Sequence, residues 1–156
     1  MDWGHLFFKF GGRINRAKFW IAVLVYVVIS VIFAVLSYAT DQSGAVQAVS
    51  GIVNLVVFIS GLAVGVKRLH DRDKSGWYLV LFYIVPSVLI GAAAVMGMTM
   101  EDSTMVAGIL GLIAFAIGVW AFVELGCLRG TSGPNRFGPD PIGAIGGMPP
   151  PIRTAA

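Results

Sequence analysis

Four long runs without a charged residue divide this chain of 156 residues and constrain its fold more than any other feature. The runs cover residues 19–40, 42–66, 75–100 and 103–123. Each is long enough to cross a bilayer core of about 30 Å as a helix that rises about 1.5 Å per residue. We therefore predict an all-α, polytopic membrane protein with four transmembrane helices, at about residues 16–38, 45–67, 76–98 and 105–128.

The basic residues are distributed asymmetrically around these runs. All 11 Lys and Arg lie before the first run, between the second and third, or after the fourth, whereas the other two connections carry only Asp41, Glu101 and Asp102. Cytoplasmic segments of membrane proteins carry the excess of Lys and Arg. The pattern predicts a multi-pass protein of the plasma membrane with both the N-terminus and the C-terminus in the cytoplasm.

The composition excludes several classes of protein. With 57% hydrophobic and 12% charged residues and a mean hydropathy of +0.84, the chain is unlike soluble domains, of which about a quarter is charged. Basic cytoplasmic loops explain the pI of 9.3, so we expect the bilayer as partner and no nucleic acid. A single cysteine, Cys127, excludes an internal disulfide and a multi-cysteine metal site. We expect no cofactor.

Three parts follow from these patterns. Residues 1–15 place Trp3, Leu6, Phe7 and Phe10 on one helical face, which predicts a short interfacial helix; the alternative is an arm that forms no stable helix and rests on the bundle. Residues 16–129 form the transmembrane domain, in which short outer connections predict two antiparallel hairpins. Residues 130–156 form a cytoplasmic tail with 12 Gly or Pro among 27 residues, which predicts disorder beyond about residue 142.

A signal peptide is the alternative interpretation of the first run. The residues Ser37-Tyr38-Ala39 resemble a signal-peptide cleavage site, but the first run is longer than the apolar core of a typical signal peptide.

A few side chains stand out within the helices. Trp3, Trp20 and Trp77 are predicted interface anchors, because tryptophan is enriched where the bilayer meets water. Glu124 is the one acidic residue within a predicted span, and we expect it to form an intramembrane ion pair with Lys67 or Arg68.

The second predicted helix carries features typical of helix packing in membranes. Gly61 and Gly65 have the GxxxG spacing that lets helices approach closely, either within the bundle or between two copies of the chain. Asn54 falls near the middle of the membrane, where such a side chain usually faces another helix and finds a hydrogen-bond partner.

Three segments carry a recognisable signature: Gly12-Arg13-Ile14-Asn15-Arg16 with Lys18-Phe19-Trp20; Arg68-Leu69-His70-Asp71 with Ser75-Gly76-Trp77; and Gly130-Thr131 with Gly133 and Asn135-Arg136-Phe137-Gly138-Pro139-Asp140-Pro141. Together, over residues 7 to 141, they resemble the bacterial inner-membrane family called domain of unknown function 805. The resemblance implies a small multi-pass inner-membrane protein and supplies no activity, substrate or cofactor. The chain departs from the family pattern at Arg129, where Pro is frequent, and at Asp73, where Gly is common.

The motifs bring polar residues to the predicted cytoplasmic face of an otherwise apolar bundle. The candidate cluster consists of Arg13, Arg16, Arg68, His70, Asp71, Lys74, Asn135, Arg136 and Asp140. Guanidinium groups that face Asp71, Asp73, Asp140 and Glu124 would form either a structural clamp or a dock for an anionic lipid headgroup or a protein partner. One histidine with two carboxylates lacks the ligands of a closed metal site, and we find no catalytic motif. The alternative function is a subunit of an oligomeric transporter or channel.

Overall fold

The computed structural model describes residues 3–41, 43–99 and 104–143, and these residues are helical apart from their connections and the segment after residue 127. Five helices follow in order: α1 (Trp3–Phe8), α2 (Arg16–Ala39), α3 (Gly44–Asp71), α4 (Val85–Thr99) and α5 (Thr104–Phe122). A wider π-helical turn over Val80–Ile84 leads into α4, and another over Val123–Cys127 extends α5.

Within these described ranges, four helical segments are long and apolar enough to cross a membrane: α2, α3, Val80–Met98 and Thr104–Cys127. The prediction of an all-α protein with four membrane-spanning helices is confirmed. The predicted disorder beyond residue 142 falls on residues 144–156, which lie outside the described part of the chain.

Local sequence explains where the first two spans begin and end. Asn15 precedes α2 and its side-chain oxygen accepts a hydrogen bond from the Lys18 backbone amide at 2.9 Å, which is the N-cap geometry that asparagine favours. Helix α3 continues to Asp71, one turn beyond the predicted end at residue 67. The extra turn persists because Arg68 and Asp71 are buried and bonded to other parts of the protein.

The wide turn before α4 is explained by Pro86. Proline lacks the backbone N–H that would bond to the carbonyl four residues earlier, and its ring clashes with that carbonyl. The π-helical turn over Val80–Ile84 ends just before Pro86, and π-helical turns are one of the recognised ways in which helices accommodate such a defect. The Ser87 hydroxyl donates to the Tyr83 carbonyl at 2.6 Å.

The helices pack unevenly along their length. Helix α2 contacts α3, and α4 contacts α5, while α2 and α3 reach the second pair at the turn Val123–Cys127. Two apolar clusters lie near this meeting point; one contains Leu69, Leu79, Phe82 and Leu125, and the other Leu6, Ile14, Ala22 and Val64. We call this end of the protein, where α1, the α3–α4 connection and residues 128–143 lie, the motif end.

Helix α1 rests on α3 at the motif end. Leu6 is buried in the apolar cluster, Phe7 packs beside it, and Trp3 stacks on Phe7 with ring centroids 5.9 Å apart. The N-terminal segment is therefore a short helix that rests on the bundle, and the alternative of an arm without a stable helix is wrong.

Candidate functional site

Asp71, the last residue of α3, lies at the centre of the polar cluster at the motif end. Its carboxylate accepts from Arg13 Nε at 3.2 Å through one oxygen and from Arg68 Nη1 at 2.5 Å through the other. The side chains of both arginines are at most 1% exposed and that of Asp71 is 4% exposed. Hydrogen bonds between charged partners are stronger than neutral ones, and here they offset the cost of burying three charges.

Arg13 connects α3 to the tail. Its Nη1 donates to the carbonyl groups of Gly133 at 2.7 Å and Gly138 at 3.2 Å, and its Nη2 donates to the Thr131 carbonyl at 2.6 Å and hydroxyl at 3.1 Å. Every nitrogen of this guanidinium therefore has a partner inside the protein. Arg13 itself lies more than 110 residues before its partners in the tail.

Arg68 connects α3 to the end of α5. Its Nε donates to the Leu125 carbonyl at 2.7 Å, and its Nη2 donates to the Leu128 carbonyl. Carbonyl groups near a helix end lack intrahelical partners, and the π-helical turn Val123–Cys127 lies at this end of α5. Trp20 uses the same turn, because its indole N–H donates to the Gly126 carbonyl at 3.0 Å.

Lys67 holds α1 in place. It is fully buried, and its ammonium group donates to the carbonyl groups of His5, at 2.6 Å, and Leu6. Both acceptors lie in α1, and a cation near the C-terminal carbonyls of a helix is favourable.

The predicted ion pair between Glu124 and Lys67 or Arg68 is wrong. The Glu124 carboxylate, 5% exposed, instead contacts Arg72 Nε at 3.1 Å and Lys74 Nζ at 2.9 Å. Lys67 instead bonds to α1, and Arg68 bonds to Asp71. Arg72 and Lys74 follow the end of α3 and can reach across to the turn Val123–Cys127, which contains Glu124. Lys74, predicted as part of the main cluster, therefore belongs to a separate pair.

The segment after residue 129 is fixed to the end of α3 by hydrogen bonds. The Thr131 amide donates to the Asp71 carbonyl at 2.8 Å, and the Asn135 side-chain amide donates to the His70 carbonyl and to the Thr131 hydroxyl, each at 2.9 Å. Gly130 lies so close that a Cβ there would sit 1.9 Å from the Asp71 carboxylate. Only glycine fits at this position.

The side chains of His70 and Arg136 both contact the Phe137 ring. The His70 and Phe137 rings stack with centroids 3.8 Å apart, and the Arg136 guanidinium lies 4.7 Å from the same ring. Arg136 also donates to the Asp73 carbonyl at 2.8 Å and pairs with its carboxylate at 3.1 Å. Asp73 has a φ of +55°, a left-handed conformation that glycine adopts without strain, which suits a position where Gly is common in the family pattern.

Asp140 is bound by backbone amides; the predicted arginine near it is Arg13, whose charge acts on the carboxylate without a hydrogen bond between them. The Ile142 and Gly133 amides each donate to its carboxylate at 2.9 Å. These two bonds, with that of Ile142 the larger influence, hold the pKa of Asp140 below its usual value, because they favour the charged form.

The remaining predicted residues lie outside this network. The Arg16 side chain is exposed, and no acceptor in the described part of the chain bonds to it. Trp3 and Trp77 are 50% and 81% exposed, while Trp20 is 40% exposed and bonded to Gly126.

Sequence reasoning missed Thr131 and Arg72. Thr131 lies in a recognised motif, but its role depends on a tertiary contact with Asp71. Arg72 bears the charge needed to pair with Glu124, yet three other cations lie within five residues of it (Lys67, Arg68 and Lys74), and the sequence does not distinguish among them.

Comparison with known proteins confirms the family resemblance. The family model "Protein of unknown function (DUF805)" matches residues 7–139. "Inner membrane protein YhaH" of Escherichia coli is 29% identical over 147 residues, which cover 90% of this chain and 97% of that protein. "Inner membrane protein YhaI" is 29% identical over 85% of each chain, and "Uncharacterized protein YiiR" is 30% identical over 85% of this chain and 86% of that protein.

No solved structure matches the chain. The family match covers most of the sequence, including the first two motifs and the third as far as Pro139, and residues of all three motifs meet around Asp71. This protein belongs to the DUF805 family of multi-helix membrane proteins, whose function is unknown.

Proposed function

We propose that this is a non-enzymatic inner-membrane protein in which the Arg13–Asp71–Arg68 cluster is a structural clamp that fastens the tail and N-terminal segment to the helix ends. The observation that carries the proposal is that every nitrogen of Arg13 and Arg68 is bonded to an acceptor within the protein. A phosphate headgroup would have to displace these acceptors before it could bind either guanidinium.

The surroundings of the acid–base side chains support a role without catalysis. The Asp71 and Glu124 carboxylates are buried against cations, and the His70 ring is covered by Phe137. A general acid or base needs access to its substrate. The side chains of Asp71 and Glu124 are at most 5% exposed, which leaves a substrate little access to either carboxylate.

We assign the motif end to the cytoplasm, with both termini on that side. The support is the asymmetry of charge, since all 11 Lys and Arg fall in the segments that lead to or from this end and such segments are retained in the cytoplasm. A cytoplasmic reporter fused after Ala156 should be active, and a periplasmic reporter inserted at Ser43 should be active. Periplasmic activity at the C-terminus would refute the assignment.

The clamp is tested by Arg13→Lys, with Arg16→Lys as the matched control. Both changes keep the charge, but an ammonium group cannot reproduce the several directed bonds of a guanidinium. We expect Arg13→Lys to accelerate proteolysis near Gly133 while bound lipid is unchanged. Arg16→Lys should leave proteolysis unchanged, because Arg16 is exposed and lies outside the network. A silent Arg13→Lys would refute the clamp.

A dock for anionic lipid headgroups is the second candidate, and it would use different residues from the clamp. Lys9, Arg16, Lys18 and Arg129 belong to the motif end, and their side chains bond to no acceptor in the described residues. Basic residues near the membrane surface attract anionic lipids by about 1 kcal/mol each.

Native mass spectrometry from mild detergent tests the dock. Arg16→Gln combined with Lys18→Gln should reduce the anionic lipid retained by the protein, whereas Arg13→Lys should not. Equal retention by the double variant and the unmodified protein would refute lipid docking at these residues.

A transporter or channel subunit is less well supported. Ser30 and Asn54 are among the polar side chains that line a crevice between α2 and α3. Closer to the motif end, the Tyr26 and Ser60 hydroxyls bond to each other at 2.7 Å, in a region lined by apolar side chains such as Val25 and Val57.

A further inference from the structure

One face of α3 carries a stripe of small and polar residues, interrupted by Phe58, on the outer surface of the protein. The stripe, which we call the α3 stripe, consists of Gln47, Gly51, Asn54, Phe58 and Gly61, whose spacings of four and three residues place them on one side of the helix. All are exposed except Gly61, which is half-buried. A Cβ added at Gly51 or Gly61 would meet nothing within 4 Å.

A polar crevice lies beside the α3 stripe, between α2 and α3. It has a volume of about 210 Å³, and its polar lining comprises Ser30, Ser37, Gln47, Ser50 and Asn54. Ser50 is only 7% exposed, and its hydroxyl has no hydrogen-bond partner among the described residues. The crevice therefore contains a buried polar group that requires a partner.

The position of these groups in the chain makes their exposure costly. They fall within the uncharged runs 19–40 and 42–66, and Asn54 is ten residues into α3, or roughly 15 Å along the helix axis. Lipid hydrocarbon offers neither donors nor acceptors, so an exposed amide or unpaired hydroxyl is unfavourable there. A protein partner with matching polar groups would remove that cost.

We propose that the α3 stripe and the adjoining crevice bind a second copy of this chain within the membrane. The Asn54 and Gln47 amides of each copy would enter the crevice of the other, where a rotation of the buried Ser50 side chain would bring its hydroxyl within hydrogen-bond reach. The glycines at 51 and 61 would let the two helices approach closely.

Two features favour a second copy over other occupants. An amide both donates and accepts, so two identical stripes related by a twofold axis complement each other, as a symmetric dimer requires. The crevice lining includes no cation, which makes an anionic lipid headgroup a poor match. The clamp at the motif end takes no part in this contact, so the proposal does not depend on the proposed function.

Disulfide crosslinking tests the geometry in the full-length protein in bilayers. In a Cys127→Ala background, Phe58→Cys in the α3 stripe is compared with Phe115→Cys in α5; the two phenylalanines are 48% and 70% exposed. We expect oxidation to crosslink the Phe58→Cys protein and to leave the Phe115→Cys protein monomeric. Equal crosslinking at both positions, or none at Phe58→Cys, would overturn the proposal.

The strength of association between two copies is tested by energy transfer between labelled copies. The transfer is measured as the protein is diluted with lipid. Asn54→Leu should weaken association about tenfold, because each copy loses an interhelical hydrogen bond. Ser87→Ala is the control, since the Ser87 hydroxyl already bonds to the Tyr83 carbonyl in the turn before α4. Gly51→Leu provides a second variant, which should block close approach of the helices.

The thermal unfolding midpoint establishes that each variant is folded. Unchanged association of both Asn54→Leu and Gly51→Leu would overturn the proposal, as would a protein that is monomeric at every dilution. Native mass spectrometry that finds a monomer with lipid bound at this face would assign the crevice to lipid instead.

Discussion

The two ends of this protein are held together in different ways. At the motif end, Arg13, Lys67, Arg68, Asp71 and Glu124 are all buried and bonded. Away from it, the side chains of α2, α4 and α5 are mostly exposed to the surroundings, and Ala114 is the buried residue of α5 in the described chain.

This contrast suggests that the spans require little more than apolar composition, whereas specific structure is concentrated at one end. Between helices in a bilayer, the hydrophobic effect contributes little, because lipid tails are as apolar as leucine side chains. Directed hydrogen bonds and ion pairs can then decide how the helices meet. All three sequence motifs lie at the end where those bonds are found.

The largest effect that would distinguish the ends is expected from Asp71→Asn. The amide has nearly the shape of the carboxylate but cannot neutralise Arg13 and Arg68, so two buried cations lose their counter-charge. We expect a loss of about 3–5 kcal/mol in the free energy of unfolding, measured by denaturant titration in mixed micelles. Asn54→Leu, a change of a polar residue away from the motif end, is the comparison, and an equal loss from both would refute the contrast.

A slightly smaller loss, about 3 kcal/mol, is expected for Gly130→Ala, because the added methyl group would displace Gly130 from Asp71 and weaken a buried charge network. A Cβ at Gly130 meets the carboxylate at 1.9 Å, whereas one at Gly11 meets nothing within 4 Å. Gly11→Ala is therefore the matched control and should be nearly silent. Limited proteolysis of the tail provides a second measurement, and an intact, protected tail in Gly130→Ala would contradict the prediction.

The difference in packing between the two ends can be measured within one helical segment, Thr104–Cys127. Leu125 is 5% exposed and Leu112 is 68% exposed. Leu125→Ala should cost about 2 kcal/mol or more because it opens a cavity at the motif end, while Leu112→Ala should change stability by less than about 0.5 kcal/mol. Thermal unfolding midpoints in one detergent would compare them, and similar shifts for the two variants would show that packing is uniform along the helix.

The smallest effect concerns Asp140 and acid. Its folded-state pKa is lowered by the Ile142 and Gly133 amides, so its contribution to tail stability is present above the ordinary value of about 4 and is lost as the pH falls through the folded pKa. NMR titration of the Asp140 carboxyl should give a midpoint below that ordinary value. A midpoint at or above it would contradict the prediction, and Asp140→Asn should loosen residues 133–142 at neutral pH.

Some features of the fold could be predicted because they depend on short stretches of sequence. The four spans follow from run length and hydropathy, and the start of α2 follows from the capping ability of Asn15. The extension of α3 to Asp71 could not be predicted in this way. Its last turn is stabilised by contacts with Arg13 and with Leu125, which lie 58 and 57 residues from their partners in sequence.

The sequence by itself determined the number of spans, the end of the protein that carries the basic residues and the motifs that meet there. Tertiary structure alone decided which cation pairs with which carboxylate. Lys67, Arg68, Arg72 and Lys74 are close in sequence, but their directions around and beyond the end of α3 send them to different partners. Many acceptors of Arg13 and Arg68 are backbone carbonyls, a group that every residue possesses, so no side-chain pattern could have identified them.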